Sequence, residues 1–240
     1  WYLEIFKKIK AAHPELHVKA MTAAEIDFLS RHYGLSYDEV IEKMLEYGVD
    51  SMPGGGAEIF DEEVRAKICK GKVSSENWLK IHKMWHDKGR QSNATMLFGH
   101  IESRENRIDH MLRIRDLQDE TGGFNAFIPL VYQRENNYLK DVKFLGSAEI
   151  LKTMAISRLV LDNVPHIKAY WATSTLNLAM IAQEFGADDL DGTIEKESIQ
   201  SAAGANSANG VTLKTFCDLI KTSGFTPVER DSLYNELKIY

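Results

Sequence analysis

Short apolar segments and long helical patterns alternate along this 240-residue chain, and that alternation constrains its fold more than any other feature. The apolar segments are predicted strands, at residues 17–22, 50–52, 92–98, 124–130, 167–172 and 187–190. Most of them start about 30 to 45 residues after the one before, which suits a strand–helix unit with a functional loop. The predicted helices include residues 37–47, 62–69, 76–88, 105–120, 148–161 and 176–185.

The chain opens inside an amphipathic helix that carries Tyr2, Ile5, Phe6 and Ile9 on one face. A helix in a βα protein normally follows a strand, and no strand precedes this helix in the sequence. Six strand–helix units and this leading helix predict an α/β fold, namely a TIM-type (β/α) barrel that lacks its first strand–helix units. Residues 1–240 then form a single domain. The alternative is an open, doubly wound sheet.

Charge and cysteine content exclude several classes of protein. A net charge of −6 and a pI of about 5.8 argue against nucleic acid as a partner. No apolar run approaches the roughly 20 residues of a membrane span. Two isolated cysteines, Cys69 and Cys217, form no disulfide framework and indicate reduced thiols in the cytoplasm.

Polar or glycine-rich sequences follow the predicted strands. They read AAEI, PGGGAEIF, GHIESRE, VYQRENN, TSTLN and DGTIEKE. If the strands are parallel, these loops gather at one mouth, where such folds carry out their chemistry. The sequence therefore predicts a functional site there.

The glycine run at 54–56 fits neither common nucleotide motif. A Walker loop needs Gly-Lys-Ser/Thr after the run, and Ala57-Glu58 follows instead. The dinucleotide pattern needs a glycine where Ile59 stands. Two readings remain: a loop that brings backbone close to a ligand, with Glu58 accepting hydrogen bonds from hydroxyls, or a tight turn before a helix capped by Asp61.

Other polar motifs have weaker signals. Gly99, His100 and Glu102 follow a strand and could supply backbone clearance and acid–base groups. His82 and His86 have helical spacing but lack a zincin glutamate, which favours a structural role. The acidic run at 186–193 fails the EF-hand pattern, so it is either a network that closes the barrel mouth or a site for a polar ligand.

Several separate motifs resemble one known family. The sequences SMPGGGAEIFDEEVRAKIC, SNATMLFGHIESRENRIDHMLRIRDLQDETGGFNAFIPL, HIKAYW and GADDLDGTI are similar to those of aminofutalosine synthases, radical S-adenosylmethionine enzymes of the futalosine route to menaquinone. The resemblance runs from Trp1 to Tyr240. It implies a transferase that joins the adenosyl radical of S-adenosylmethionine to an enolpyruvyl benzoate ether, a small molecule, to give aminofutalosine.

The resemblance also implies site residues, and it implies no protein-bound metal ion beyond the cluster. His100 and Glu102 are the expected catalytic pair. The expected S-adenosylmethionine site comprises Gly54, Gly55, Gly56, Glu58, Thr95, Gly99, Phe127 and Pro129. The expected substrate site comprises Lys168, Tyr170, Asp189, Asp191 and Arg134, and Lys19 and His166 are further candidates for binding the substrate's carboxylates.

One departure from the family affects activity. Family members hold a four-iron four-sulfur cluster through CxxxCxxC, and neither Cys69 nor Cys217 matches a cluster ligand. We therefore expect this chain to be inactive by itself, with the cluster loop and first strand–helix units missing. Unpaired sheet edges would then favour a homodimer.

Two alternatives stay open. The paralogues, cyclic dehypoxanthinyl futalosine synthases and deazaflavin-cofactor synthases, share the glycine run, and SAAGA at 201–205 is similar to the cyclic group. A non-catalytic barrel remnant that acts as a binding module would also explain the missing cysteines.

Overall fold

The computed structural model describes residues 1–139, 141–194, 197–205 and 210–240. Its α-helices are α1 Tyr2–Ala12, α2 Ala23–Tyr33, α3 Tyr37–Glu46, α4 Glu62–Ile68, α5 Ser75–Asp87, α6 Arg104–Thr121, α7 Ser147–Val160, α8 Trp171–Ser174, α9 Leu176–Ala182, α10 Ile199–Ala202 and α11 Leu213–Thr222, with a 3-10 turn at Gln183–Phe185. Its strands are β1 Ser92–Phe98, β2 Phe124–Val131, β3 His166–Ile167, β4 Val228–Arg230 and β5 Glu236–Ile239.

Six chain segments pair side by side, all in parallel, within the part of the chain that is described. β2 pairs with β1 on one side and with β3 on the other. Single bridges extend the series at both ends, joining Lys19 to Ser51, Met52 to Ser92 and Lys168 to Asp189. The spatial order therefore follows the sequence order from the first segment to the sixth. A doubly wound sheet reverses its order at a switch point, so the open-sheet alternative does not describe this chain.

The sheet is curved, as shown by the short distance between its first and sixth segments. The charges of Asp189 and Asp191, on or just after the sixth segment, act on the ammonium group of Lys19 in the first. The curvature gives the sheet a concave inner face and a convex outer face, and helices cover the outer one. This arrangement agrees with the predicted α/β class.

Local capping fixes where the helices begin. Thr22 caps α2 by accepting the backbone N–H of Glu25, whose carboxylate accepts the N–H of Thr22 in return. The sequence AAEI, predicted to be a loop after the first strand, is consequently the first turn of α2. Sequence periodicity missed this helix because its start follows the strand directly.

Three predicted strands were too long. In residues 17–22 and 187–190 the structure has no regular strand, and only Lys19 and Asp189 form single bridges. Residues 167–172 were expected to be extended, yet β3 covers only His166–Ile167 and the bridge at Lys168. The N–H of Ala169 donates to Asp189 O, after which α8 begins at Trp171. The indole of Trp171 donates to Gly192 O at 2.8 Å, so a tertiary contact turns the chain out of the sheet.

The C-terminal part adds α11 and a two-stranded antiparallel hairpin, β4–β5. Cys217 is buried in α11, and Cys69 is the half-buried residue that ends α4. Both are free thiols, as the sequence predicted. Among the described helices, none has the length and apolar content to cross a membrane.

Two histidines pack between α5 and the sheet, as the sequence predicted. His82 Nδ1 and His86 Nε2 lie 2.8 and 2.7 Å from the hydroxyl of Ser92, and His86 Nδ1 lies 2.8 Å from that of Thr121. Burial lowers the pKa of His86 to about 4 and that of His82 well below its ordinary value. Both rings are therefore neutral in the folded protein at pH 7.

This burial predicts a loss of stability in acid. Between pH 6.5 and 4 the unfolded chain binds a proton at residue 86 that the folded chain does not, so the free energy of unfolding falls as pH falls. His86 alone should contribute about 2 to 3 kcal/mol of loss from pH 7 to 4.5, measured by urea unfolding. The variant His86→Gln should lose about 2 kcal/mol less over that interval, whereas exposed His13→Gln should match the wild type. Identical pH dependence in His86→Gln and the wild type would contradict this account.

Candidate functional site

The register of β1 and β2 shows which side chains line the inner face. Parallel partners point to the same side of a sheet, so the pairs Asn93–Ala126, Thr95–Ile128 and Leu97–Leu130 share one face. Asn93 contacts Lys19 across the concavity, which identifies this face as the inner one. Near the carboxyl ends of the strands, Leu97, Ile128 and Leu130 are only partly buried, whereas the residues that alternate with them are fully covered by helices. The inner face therefore presents an accessible apolar wall.

Below this wall lies a charged group of residues that we call the inner cluster: Lys19, Asn93, Lys168, Asp189 and Asp191. Lys168 Nζ lies 3.3 Å from Asp189 Oδ2 and 2.5 Å from Asp191 Oδ1. Its side chain is 6% exposed, so the ammonium group is held between two carboxylates in a dry environment. Asp191 adopts a left-handed backbone conformation, with φ of 66°, in making this contact.

Asp189 is the most fully paired member of the inner cluster. Its Oδ2 accepts hydrogen bonds from Arg230 Nη2 at 2.6 Å and from the Tyr234 hydroxyl at 2.8 Å, besides its contact with Lys168. Burial by itself would raise the pKa of Asp189, but Lys168 and Arg230 outweigh it and hold that pKa at about 2. Asp189 is therefore a charged structural centre with little capacity for a further ligand.

The hairpin β4–β5 supplies Arg230 and Tyr234 from the amino-terminal end of the strands. The Tyr234 ring stacks on His166 with centroids 4.0 Å apart, and the Arg230 guanidinium lies over Tyr234 at 3.9 Å. The hairpin thus closes the inner face from below. Sequence reasoning missed both residues because their role depends on contacts about 40 residues away in sequence, at Asp189.

Lys19 differs from Lys168 in having no carboxylate in direct contact within the described chain. Its Nζ donates to Asn93 Oδ1 at 3.3 Å. Burial, together with the charges of Lys168 and Arg230, lowers the pKa of Lys19 to about 8, and the two aspartates partly oppose this shift. The ammonium group is therefore a partly desolvated cation held by a neutral amide.

The glycine run is shaped by packing against the sheet. A Cβ on Gly54 would lie 2.7 Å from Asn93 O, and the Gly54 carbonyl accepts the Thr95 hydroxyl at 2.7 Å. Gly56 has φ of +90°, which disfavours other residues, and Gly55 also lacks room for a side chain. Thr95 and the three glycines therefore form one rigid turn at the carboxyl ends of the strands.

A buried arginine holds this turn from the helix side. Arg65 is 3% exposed and donates to the carbonyl oxygens of Gly56 at 3.1 Å, of Ile59 at 2.9 Å, and of Ala57 and Val73. A planar guanidinium with five donors is suited to bind several backbone acceptors at once. No sequence pattern indicated this role, since Arg65 stands in an ordinary charged helix.

Glu58 lies at the mouth of the inner face. It has φ of 47°, its carbonyl accepts the N–H of Leu97 at 2.7 Å, and its carboxylate pairs with Lys72 at 2.7 Å. The Glu58 side chain is 19% exposed. A partly exposed carboxylate in a strained, fixed turn can accept hydrogen bonds from a polar ligand.

Gly99, His100 and Glu102 form a tightly bonded loop beside this mouth. Glu102 accepts the N–H groups of Gly99 and His100 at 2.6 and 2.8 Å and pairs with Arg107 at 2.7 Å. The side chains of His100 and Glu102 are 0% exposed. This geometry favours a role in holding the loop, and the catalytic roles assigned to the two residues stay predictions.

The His100 ring is fixed by the same loop. Its Nε2 donates to Leu97 O at 3.0 Å, while its Nδ1 lies 3.0 Å from Glu102 Oε2 without hydrogen-bond alignment. Burial lowers the pKa of His100, and the charge of Glu102 only partly opposes this effect. We therefore take the ring to be neutral at pH 7.

The remaining candidate residues are dispersed. Phe127 is fully buried on the outer face, 6.4 Å from the His110 ring, and Pro129 shares that face. Arg134 donates to Val142 O and lies over the Phe144 ring, within the loop after β2. Tyr170 is half-buried, and burial raises its pKa to about 12. The structure gathers Lys168, Asp189 and Asp191, and it does not bring Arg134, Phe127 or Pro129 to them. Their ligand roles stay predictions.

A cavity of about 540 Å³ borders the inner cluster on its far side. It lies between the sixth segment, α11 and the hairpin, and it includes Asp189, Asp191 and Arg230 in its lining. This cavity is a second place where a small molecule could bind.

Two family models match consecutive parts of the chain. One, described as the radical SAM superfamily, matches residues 2–114. The other, described as the CofH/MqnC C-terminal region, matches residues 121–240. The boundary between them, at residues 115–120, falls within α6, the helix that connects the parallel strands β1 and β2.

Curated relatives and a solved structure agree with these matches. An aminodeoxyfutalosine synthase of Thermus thermophilus is 48% identical, over all of this chain and 66% of the relative. A cyclic dehypoxanthine futalosine synthase of Streptomyces coelicolor is 38% identical, over all of this chain and 60% of the relative. The crystal structure of methylornithine synthase (PylB) has the same fold, with a TM-score of 0.71 at 13% identity over 95% of this chain and 63% of PylB. The chain thus spans 60 to 66% of the length of each of these proteins.

The packing of Arg65 predicts a large effect on stability. Arg65→Met should lower the free energy of unfolding by about 3 kcal/mol or more, because it leaves several buried carbonyl groups without donors. Arg104→Met removes a surface ion pair with Glu149 and should cost far less, because water and salt screen an exposed pair. Urea unfolding of the two variants measures the difference. A loss in Arg65→Met as small as in Arg104→Met would show that the glycine turn does not need this residue.

Proposed function

Because this chain belongs to the radical S-adenosylmethionine superfamily and to its CofH/MqnC group, we propose that it provides the ligand-binding sheet of an aminodeoxyfutalosine synthase. Members of the superfamily use S-adenosylmethionine and a four-iron four-sulfur cluster. The proposed reaction joins the adenosyl group to an enolpyruvyl benzoate ether. Among the relatives, the higher identity to the synthase that makes aminodeoxyfutalosine supports this choice over the cyclic enzyme.

The observation that carries the proposal is the shape and chemistry of the inner face. An apolar wall at Leu97, Ile128 and Leu130 leads from the mouth to a charged floor at the inner cluster. An aromatic acid has matching parts, since its ring can pack on the wall while its carboxylate meets a cation. Packing of the ring also removes water from the face that the reaction uses.

The residues at the mouth fit S-adenosylmethionine. Glu58 offers a partly exposed carboxylate beside a turn that Arg65 keeps rigid. We assign Glu58 to accept hydrogen bonds from the hydroxyl or ammonium groups of that molecule, and Gly54–Gly56 to keep the turn close to β1. When bound, S-adenosylmethionine supplies the adenosyl group that the reaction transfers.

The residues of this chain do not fit the cluster. An iron–sulfur cluster of this type is held by cysteine thiolates, and the sequence contains only Cys69 and Cys217. Cys217 is buried in α11, and burial raises the pKa of Cys69, which disfavours the thiolate form. Among the described residues, no group of three or more His, Cys, Asp and Glu side chains is arranged to hold a metal ion.

The role of Glu58 can be tested by binding. Glu58→Gln should weaken S-adenosylmethionine binding to this chain by about 10- to 100-fold, because it removes a charged acceptor. Isothermal titration calorimetry measures the affinity, with exposed Glu63→Gln on α4 as the matched control. Equal affinities in Glu58→Gln and Glu63→Gln would remove Glu58 from the site, and no binding to the wild type would contradict an adenosyl site in this chain.

The cluster can be tested by chemical analysis. After anaerobic reconstitution, this 240-residue chain should retain no stoichiometric iron and show no cluster absorption, and it should not cleave S-adenosylmethionine. The double variant Cys69→Ser, Cys217→Ser should give the same iron content as the wild type. Stoichiometric iron in the wild type that the double variant lacks would show that these cysteines bind a cluster after all.

A further inference from the structure

The inner cluster carries more positive than negative charge once the hairpin is included. Lys19, Lys168 and Arg230 face Asp189 and Asp191, so three cations meet two carboxylates. Asp189 and Asp191 are engaged by Lys168 and Arg230, which leaves one positive charge over. That charge is on Lys19.

The contacts of Lys19 leave it able to bind an anion. Its one direct partner in the described structure is the neutral amide oxygen of Asn93, at 3.3 Å, a long hydrogen bond. An ammonium group has three donors. A partly buried cation without a counter-ion is costly, and an incoming carboxylate would compensate for that cost.

The position of Lys19 sets which end of a ligand it can reach. It contacts Asn93 near the start of β1, whereas Glu58 contacts Leu97 near the strand's end. Four residues of a strand separate these levels, a rise of about 13 Å. The apolar wall of Ile128 and Leu130 fills the height between them, which leaves room for an aromatic ring.

We propose that Lys19 binds the aromatic carboxylate of the substrate at the floor of the inner face, so that the enol ether of the same molecule lies at the mouth beside the adenosyl site. This inference rests on the proposed function for the identity of the substrate. It does not depend on the cluster, since it concerns binding alone. Lys168 then has a structural task, which is to hold Asp189 and Asp191 away from the incoming anion.

The test compares benzoate with benzyl alcohol, an aromatic probe of similar size without charge, by calorimetric titration of the 240-residue chain at pH 7. The wild type should prefer benzoate. Lys19→Met should weaken benzoate binding by about 10- to 100-fold and leave benzyl alcohol binding unchanged. Lys19→Arg should restore part of the preference, and exposed Lys80→Met should behave as the wild type.

The pH dependence gives a second readout. Benzoate stays ionised above pH 7, and Lys19, with a pKa of about 8, loses its proton between pH 7 and 9. Among the groups that face it, Asp189 keeps its negative charge and Arg230 its positive charge over this range, because their pKa values lie at about 2 and above the ordinary arginine value. Wild-type affinity for benzoate should therefore fall about ten-fold from pH 7 to 9, a change that Lys19→Met should lack.

The outcomes separate this inference from the proposed function. Equal benzoate preference in Lys19→Met and the wild type would overturn the assignment of Lys19, as would a wild type without any preference for benzoate. S-adenosylmethionine binding should be the same in Lys19→Met as in the wild type, which shows that the variant is folded. Benzoate binding that does not depend on Lys19, together with intact S-adenosylmethionine binding, would overturn the inference and leave the adenosyl site standing.

Discussion

The parallel register between β1 and β2 is the constraint on which the rest of the structure depends. It decides that Asn93, Thr95 and Leu97 face inward with Ala126, Ile128 and Leu130. A shift of β1 by one residue against β2 would turn the side chains of β1 to the opposite face, because side chains alternate along a strand. Leu97 would then lie under the helices, and Met96 and Phe98, now buried, would face the site. Every statement about the inner face follows from this pairing.

Charge compensation sets the second level of organisation. Buried ions are tolerated when each is paired and hydrogen-bonded, and the hairpin β4–β5 brings Arg230 and Tyr234 to Asp189 for this purpose. The same pairing satisfies Lys168. It leaves Lys19 as the inner-cluster cation that can respond to a ligand. Lys168 therefore stabilises the inner cluster, whereas Lys19, a residue of the same type, is the one that binds the ligand.

The sequence predicted the alternation of strands and helices, but it missed α2 and the hairpin β4–β5 and made three strands too long. Residues 92–98 were predicted as a strand to the residue, because a polar stretch precedes the segment and Gly99 follows it. By contrast, Arg65, Arg230 and Tyr234 gave no signal, because their contacts join segments that are distant in sequence. Glu102 looked like a free acid in a polar loop, yet Arg107 and two backbone N–H groups engage its carboxylate. A polar residue after a strand indicates where a site lies, but only the folded chain shows which of its atoms are already paired.

A crystal structure of this chain with 3-hydroxybenzoate tests the account most directly, because it locates an aromatic acid among the possible sites. We expect the ring against Leu97, Ile128 and Leu130, and a carboxylate oxygen within hydrogen-bond distance, about 3 Å, of Lys19 Nζ. The cavity of about 540 Å³ between α11 and the hairpin is the competing location. A molecule found there, with the inner face empty, would contradict the claim that the inner face is the substrate site.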